Sequence, residues 1–265
     1  YNLQECLDKG RSTIFFSATL LPVQYYKEML STREDNYAIY AQTSFEEEQK
    51  LLLIGKDVSS RYKRRNESEF QKMAAYIADI TAAKAGNYMV FFPSYKMLDE
   101  VYEQFLKIAP VEVQLLKQES GMTEVEREEF LQAFANGSKD ALVAFCVLGG
   151  IFGEGIDLKQ EQLIGAVIIG TGLPQIGNER EILKAYYDKK ADEGFDYAYR
   201  YPGMNKVLQA AGRVIRTIDD RGVIALLDER FLESSNQRLF PREWTKYQIC
   251  DCLLYTSDAA DEEDS

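Results

Sequence analysis

Seven short apolar runs, separated by stretches of helical periodicity, constrain this chain more than any other feature. The runs are Tyr37–Ala41, Leu51–Ile54, Tyr88–Phe92, Val111–Leu116, Ala141–Val147, Leu163–Ile169 and Gly222–Leu227. Helical patterns fall at Val23–Leu30, Glu67–Ala85, Tyr95–Ile108, Thr123–Asn136, Glu179–Asp192 and Lys206–Thr217. A strand that is apolar on both faces must be covered on both faces. Alternation with helices supplies that cover, so the order predicts an α/β fold, a parallel sheet between two helical layers. Local punctuation agrees. Pro22 opens a helix where its missing N–H costs nothing, Thr123-Glu124-Val125-Glu126 has capping-box spacing, and Asn136-Gly137 is a helix stop.

The 265 residues, with 46% hydrophobic and 28% charged, suffice for one sizeable core. No apolar run reaches the roughly 18–20 residues of a membrane span, and no secretory signal pattern opens the chain. Cys6, Cys146, Cys250 and Cys252 lack CxxC spacing, and the chain has no histidine. Zinc or iron–sulfur ligation by these residues is therefore not expected, and free thiols in a reducing cytoplasm are. The net charge of −12 argues at first against nucleic-acid binding. Five of the acids lie in the tail from Cys252 onward, without which 31 bases face 38 acids, a net of −7. Local charge in a groove decides phosphate binding in any case, because attraction is screened over about 10 Å. Residues 252–265 read like a sequencing adapter translated in frame and are expected to carry no fold. The strand-like Ser12–Leu20 opens the chain so abruptly that residues 1–45 are read as the remnant of a preceding domain plus a linker, with one main domain over 46–251.

Four segments carry chemistry. Gln209-Ala210-Ala211-Gly212-Arg213-Val214-Ile215-Arg216 places Gln209, Arg213 and Arg216 at i, i+4 and i+7 of the expected helix, so all three share one face, and Gly212 permits close approach there. Guanidinium groups so placed can neutralise charge on a transferring phosphoryl group. The strand-like Ala141–Val147 runs into Leu148-Gly149-Gly150-Ile151-Phe152-Gly153-Glu154-Gly155-Ile156-Asp157, whose glycines let backbone approach a ligand at a strand's carboxyl end. Glu154 and Asp157 repel bare phosphate but suit an arginine, a ribose hydroxyl or hydrated magnesium. After Tyr88–Phe92, Ser94 either bonds a phosphate or caps a helix, and Tyr95 is placed to stack on a base. Ser17-Ala18-Thr19 is the fourth segment, three small residues that mean little alone. Two further clusters stay open. Arg61, Lys63, Arg64 and Arg65 around Tyr62 either touch phosphates or form a solvated helix start. Phe195, Tyr197, Tyr199 and Tyr201 offer stacking surfaces or, as preferred here, pack an insert.

Taken in order, these segments resemble motifs III (Ser17–Thr19), IV (Asn87–Tyr95), V (Gly149–Asp157) and VI (Gln209–Arg216) of the XPD/DinG-like superfamily 2 DNA helicases. The run Leu226-Leu227-Asp228-Glu229-Arg230-Phe231 also stands where that group has it, and the resemblance covers about residues 12–247. It implies a RecA-like second motor domain, P-loop-NTPase-like but lacking its own P-loop, with residues 1–45 left from helicase domain 1. It implies Arg216, Arg213 and Gln209 as catalytic residues of an ATP site supported by Gly212, Glu154, Gly155 and Asp157. Ser94, Tyr95, Arg61 and Arg64 would contact single-stranded DNA, while Ser17 and Thr19 would couple the ATP site to DNA movement. No GxxxxGK[ST] sequence or DEAH-type box occurs in the chain. ATP and Mg2+ would therefore be held mainly by helicase domain 1, the implied partner domain, and any iron–sulfur cluster would lie there too. The chain alone is expected to be inactive, and the resemblance implies 5′→3′ movement, in repair or a related DNA transaction. A RecA-like binding module without motor activity, a double-stranded DNA translocase, an RNA helicase and a helicase fused to an exonuclease remain as alternatives.

Overall fold

The computed structural model describes residues 2–41, 43, 45–110, 112–135, 141–152, 163–215, 217 and 219–252. Its strands are β1 (Lys50–Gly55), β2 (Asn87–Phe92), β3 (Gln114–Lys117), β4 (Leu142–Val147), β5 (Gly165–Ile169), β6 (Gly222–Leu227) and β7 (Gln248–Cys250). All pairs are parallel, in the order β3-β4-β2-β5-β6-β1-β7. The central strands β2, β4 and β5 are almost wholly buried, as their apolar composition requires. Alternation divides them between two cores. Met89, Phe91, Ala144 and Cys146 face one layer, with Phe130 and Phe134 of α5 (Glu124–Ala135) and Met204, Val207 and Leu208 of α7 (Tyr201–Ala211). Val90, Phe92, Val143 and Phe145 face the other, with Met73 and Ile77 of α3 (Glu67–Ala83) and Leu98, Val101 and Phe105 of α4 (Tyr95–Leu106). Each fully buried phenylalanine of this sandwich stabilises it by about 1.5–3 kcal/mol.

Caps set where the helices start. The Asn66 side chain accepts from the Glu69 amide at 2.9 Å, and Ser94 Oγ from the Met97 amide at 3.3 Å. At α5 the expected box forms: Thr123 N–H donates to Glu126 Oε2 at 2.7 Å, and Glu126 N–H to Thr123 Oγ1 at 3.3 Å. Asn136 and Gly137 lie outside the described residues.

Three expectations need correction. Ser12–Leu20 and Tyr37–Ala41 form no strand; Phe16 is 89% and Tyr37 96% exposed. Apolar residues predict a strand only where another strand offers free N–H and C=O groups, and none of the described strands adjoins these segments. The helix expected after Pro22 forms with the expected bounds, α2 (Val23–Leu30), and Pro22 stands as its N-cap. The helix expected over Lys206–Thr217 is α7, which ends at Ala211, with Gly212 as its C-cap. Its last turn tightens: Gly212 N–H donates to Leu208 O, Arg213 N–H to Ala210 O and Val214 N–H to Ala211 O. Glycine and then β-branched Val214 and Ile215 offer little helical preference to carry the spiral on. Gln209 and Arg213 therefore do not share one continuous helical face.

Among the elements with no counterpart in the sequence reading are α1 (Asn2–Leu7), the short helix α8 (Ser234–Gln237) and the edge strand β7. The aromatic insert does pack. A π-helical turn over Asp196–Arg200 buries Tyr197 and Tyr199 and feeds into α7 with Tyr201, between α6 (Asn178–Ala191) and α2. Tyr187 stacks on Tyr197 at 3.7 Å, Tyr25 meets Tyr197 and Tyr201 edge-on at 5.4 and 5.3 Å, and Lys190 pairs with Glu28 at 2.6 Å.

Candidate functional site

Parallel strands all deliver their carboxyl ends to one edge of the sheet, where open α/β folds bind ligands. Three groups of residues meet there. The first joins the ends of β1, β5 and β6. Asp228, fully buried after β6, accepts from Ser60 N–H and Oγ, both at 2.8 Å. It also accepts from Arg230 N–H at 3.0 Å, Nε at 2.8 Å and Nη2 at 2.7 Å. Burial alone would raise the Asp228 carboxyl; the Arg230 hydrogen bonds and charge and the Ser60 amide outweigh it and hold the group below its usual range. Gly170 packs so closely that a Cβ there would fall 2.5 Å from Ser60 Oγ and 3.8 Å from Pro93, which brings in the end of β2.

The second group links β2, β3 and β4. Gln118 is 1% exposed, and its Nε2 donates to the Tyr95 hydroxyl at 2.9 Å. Its Oε1 accepts from Val147 N–H at 2.8 Å, and its own N–H donates to Phe145 O at 2.8 Å. A Cβ on Gly150 would sit 3.2 Å from Gln118 Nε2, so the glycine turn rests on this amide. One side chain thus ties the turn after β2 to the turn after β4.

The third group brings α7 under the ends of β4 and β5. Gly149 has φ +72°, and a Cβ there would lie 2.9 Å from Lys206 Cδ and Cε. Gly172 has φ +68°, and a Cβ would lie 2.4 Å from the Gly203 carbonyl oxygen, a contact only glycine permits. Arg213 follows the helix end and is 6% exposed. Burial pushes the Cys146 thiol up, and the Arg213 charge opposes that rise.

The sequence-assigned residues distribute as follows. Gln209 is half-buried on the last turn of α7, and Gly212 caps it in the open. Arg213 is buried just after the end of α7, and Tyr95 lies on the edge through Gln118. Ser94 takes the capping role. Arg61 and Arg64 are turned to carboxylates: Arg61 pairs with Glu233 at 2.6 Å, and Arg64 with Glu229 at 2.9 Å and Glu69 at 3.1 Å. Ser17 and Thr19 form a local exposed turn, their hydroxyls 3.3 Å apart. Arg216, Glu154, Gly155 and Asp157 lie outside the described residues. Sequence reasoning missed Gln118 and Lys206 and saw Asp228 only as part of a pattern. Gln118 had one local signal, a polar side chain ending an apolar run, but its partners Tyr95 and Val147 are far off in sequence.

The architecture is RecA-like, a seven-stranded parallel sheet between two helical layers. The chain belongs to the Helicase C-terminal domain family, whose pattern matches residues 77–247. It is 26% identical over 240 residues to the ATP-dependent DNA helicase XPD of Sulfolobus acidocaldarius, covering 87% of this chain and 41% of that protein. It is 26% identical over 260 residues to the general transcription and DNA repair factor IIH helicase subunit XPD/RAD3 of Saccharomyces cerevisiae, covering 89% of this chain and 32% of that protein. The chain thus spans about a third to two fifths of the length of these relatives. Among solved structures, an XPD helicase superposes with a TM-score of 0.61 at 23% identity, over 76% of this chain and 35% of that one. Xpd4 of S. tokodaii gives 0.59 at 17% identity, over 83% and 42%.

Proposed function

We propose that this chain is the second motor domain of an ATP-dependent DNA helicase of the XPD/DinG-like group, and that it works only when joined to a first motor domain. One observation supports this most: α7, which leads into the arginine segment, is packed under the ends of β4 and β5, with Lys206 on Gly149 and Gly203 on Gly172, and Arg213 is buried where the helix ends. Cations at the carboxyl edge suit the anionic end of a nucleotide, yet no P-loop exists in the chain to cradle its phosphates. The fit is therefore that of a domain completing a site held elsewhere. ATP with Mg2+, once bound, supplies the phosphoryl transfer that drives movement. From this side Arg216 neutralises charge developing on the transferred group, and Arg213, buried at the root of the same segment, anchors that segment. Gln209 borders the site from the last turn of α7. Glu154 and Asp157 are assigned to orienting an arginine, a ribose hydroxyl or a hydrated metal. Tyr95 faces single-stranded DNA, and Ser17–Thr19 pass closure of the cleft to the DNA path, in the 5′→3′ sense.

The test is Arg216→Ala in the full-length protein. Loss of an arginine finger removes about 10³-fold or more of ATP turnover and leaves single-stranded DNA affinity nearly unchanged. Near-normal turnover in that variant would remove the assignment. This chain by itself should show no ATP hydrolysis.

A further inference from the structure

We propose that Tyr62, backed by Arg65, is a stacking platform for a base of single-stranded DNA, an inference that rests on the nucleic-acid reading above and names a contact within it. Tyr62 is 84% exposed, in a 3-10 turn over Tyr62–Arg64. The turn is not loose. Arg61, just before the tyrosine, is tied to Glu233, and Arg64, two residues after it, to Glu229, Glu69 and the Asp57 carbonyl, so the turn is anchored on either side of the ring. A large aromatic ring held out in solvent on an anchored turn leaves less backbone freedom to be lost on stacking.

The cations of this turn are sorted by the same contacts. Arg61 and Arg64 spend their charge on carboxylates, whereas Lys63 and Arg65 make no ion pair among the described residues. Arg65 Cζ lies 5.7 Å from the Tyr62 ring centroid, and its Nε donates to the Ser60 carbonyl at 3.1 Å. A guanidinium beside one part of the ring and an open face on another match what a base and its adjoining phosphate require. In a chain of net charge −12, an unneutralised pair of cations next to an exposed aromatic ring is a local departure that favours a polyanion over an apolar protein surface.

The position agrees. Ser60, two residues before Tyr62, is clamped by Asp228, and Gly170 packs on both Ser60 and Pro93. The platform therefore stands on the same edge as Ser94–Tyr95, so one strand of nucleic acid could pass from Tyr95 to Tyr62. This also reassigns the basic cluster. Arg61 and Arg64 hold the turn, while Tyr62, Lys63 and Arg65 present it.

The experiment uses this chain, a fluorescein-labelled oligo-dT and a matched deoxyribose-phosphate oligomer without bases, read by fluorescence anisotropy. The unmodified chain is expected to bind oligo-dT more tightly than the abasic oligomer. Tyr62→Ala should weaken oligo-dT binding by about fivefold to a hundredfold, the loss of one stacked base, and leave abasic binding unchanged. Arg65→Gln should lower the salt dependence of binding. Tyr62→Trp should keep the affinity and show indole quenching by oligo-dT, against the steady background of Trp244, the chain's one tryptophan, which is buried. If the unmodified chain binds oligo-dT and Tyr62→Ala binds it equally well, the platform is wrong and the nucleic-acid reading stands. If the unmodified chain binds neither oligomer, both fall, and a protein partner for this turn becomes the reading to pursue.

Discussion

Replacing Asp228 by asparagine keeps the shape of the side chain and removes its charge, which isolates what the carboxylate does at the sheet edge. Asp228 is wholly buried and accepts five hydrogen bonds, three from Arg230 and two from Ser60. Asparagine keeps one acceptor oxygen and turns an N–H2 toward donors, so the half-buried Arg230 guanidinium loses its counter-charge. Breaking a buried pair from one side costs about 3–5 kcal/mol, because the remaining charge stays desolvated. For a domain of this size that corresponds to about 6–20 °C in Tm. The measurement is urea unfolding of the parent and Asp228→Asn, followed by circular dichroism, with the midpoint lowered and the slope unchanged. The pH dependence has a definite sign. The folded Asp228 carboxyl lies below its usual value, so its stabilisation is present in full above the unfolded carboxylate pKa of about 3.9 and is lost as pH falls through the lower folded value. The parent should lose that contribution on acidification into this window and Asp228→Asn should not, so the two curves converge. A variant within about 1 kcal/mol of the parent at neutral pH, or curves that stay parallel in acid, would refute the assignment.

Two smaller tests address the other groups on the edge. Gly172→Ala meets a left-handed φ of +68° and the Gly203 carbonyl oxygen at 2.4 Å, so it should cost more than about 2 kcal/mol; a urea midpoint equal to the parent's would show that the loop after β5 and α7 can part freely. Gln118→Leu leaves the Val147 amide without its acceptor and frees the Tyr95 hydroxyl, with an expected loss of about 1–3 kcal/mol in thermal unfolding and weaker oligo-dT binding; unchanged stability would sink the view that this amide ties two turns together.

Six of the seven sheet strands and six of the helices, α2 to α7, could be read from the sequence because their signals are local and strong. Phe91-Phe92 and Phe145-Cys146 sit in runs that no solvated segment tolerates, and Asn66, Ser94 and Thr123 carry cap chemistry within three residues of their targets. What could not be read depends on partners distant in the chain. Ile14-Phe15-Phe16 has strand composition but no neighbouring strand to pair with, so composition alone misled. β7 is three residues long and mostly exposed, and it exists because Leu53–Gly55 of β1 offers it a free edge. The end of α7 turned on Gly212 and two β-branched residues, a balance that periodicity does not register. At the site, Tyr95 was legible as a polar aromatic after a strand, whereas Gln118 was not, since its meaning lies in touching Tyr95 and Val147 together.

The charge of the arginines shows why a basic cluster cannot be assigned from spacing alone. Arg61, Arg64 and Arg65 are nearly adjacent in sequence, yet the turn they occupy points two of them at Glu69, Glu229 and Glu233 and leaves the third beside an exposed ring. Glu69 lies just after the turn in α3, whereas Glu229 and Glu233 come from the segment after β6 and reach the turn because β1 and β6 are neighbours in the sheet. The strand order therefore decides which cations remain to meet a phosphate. The same logic governs the arginine segment: where it begins follows from α7 crossing the ends of β4 and β5 at Gly149 and Gly172, two positions where a side chain would hold the helix away. An edge built this way couples its parts, because moving α7 moves the glycine turn, and the turn is bound through Gln118 to Tyr95.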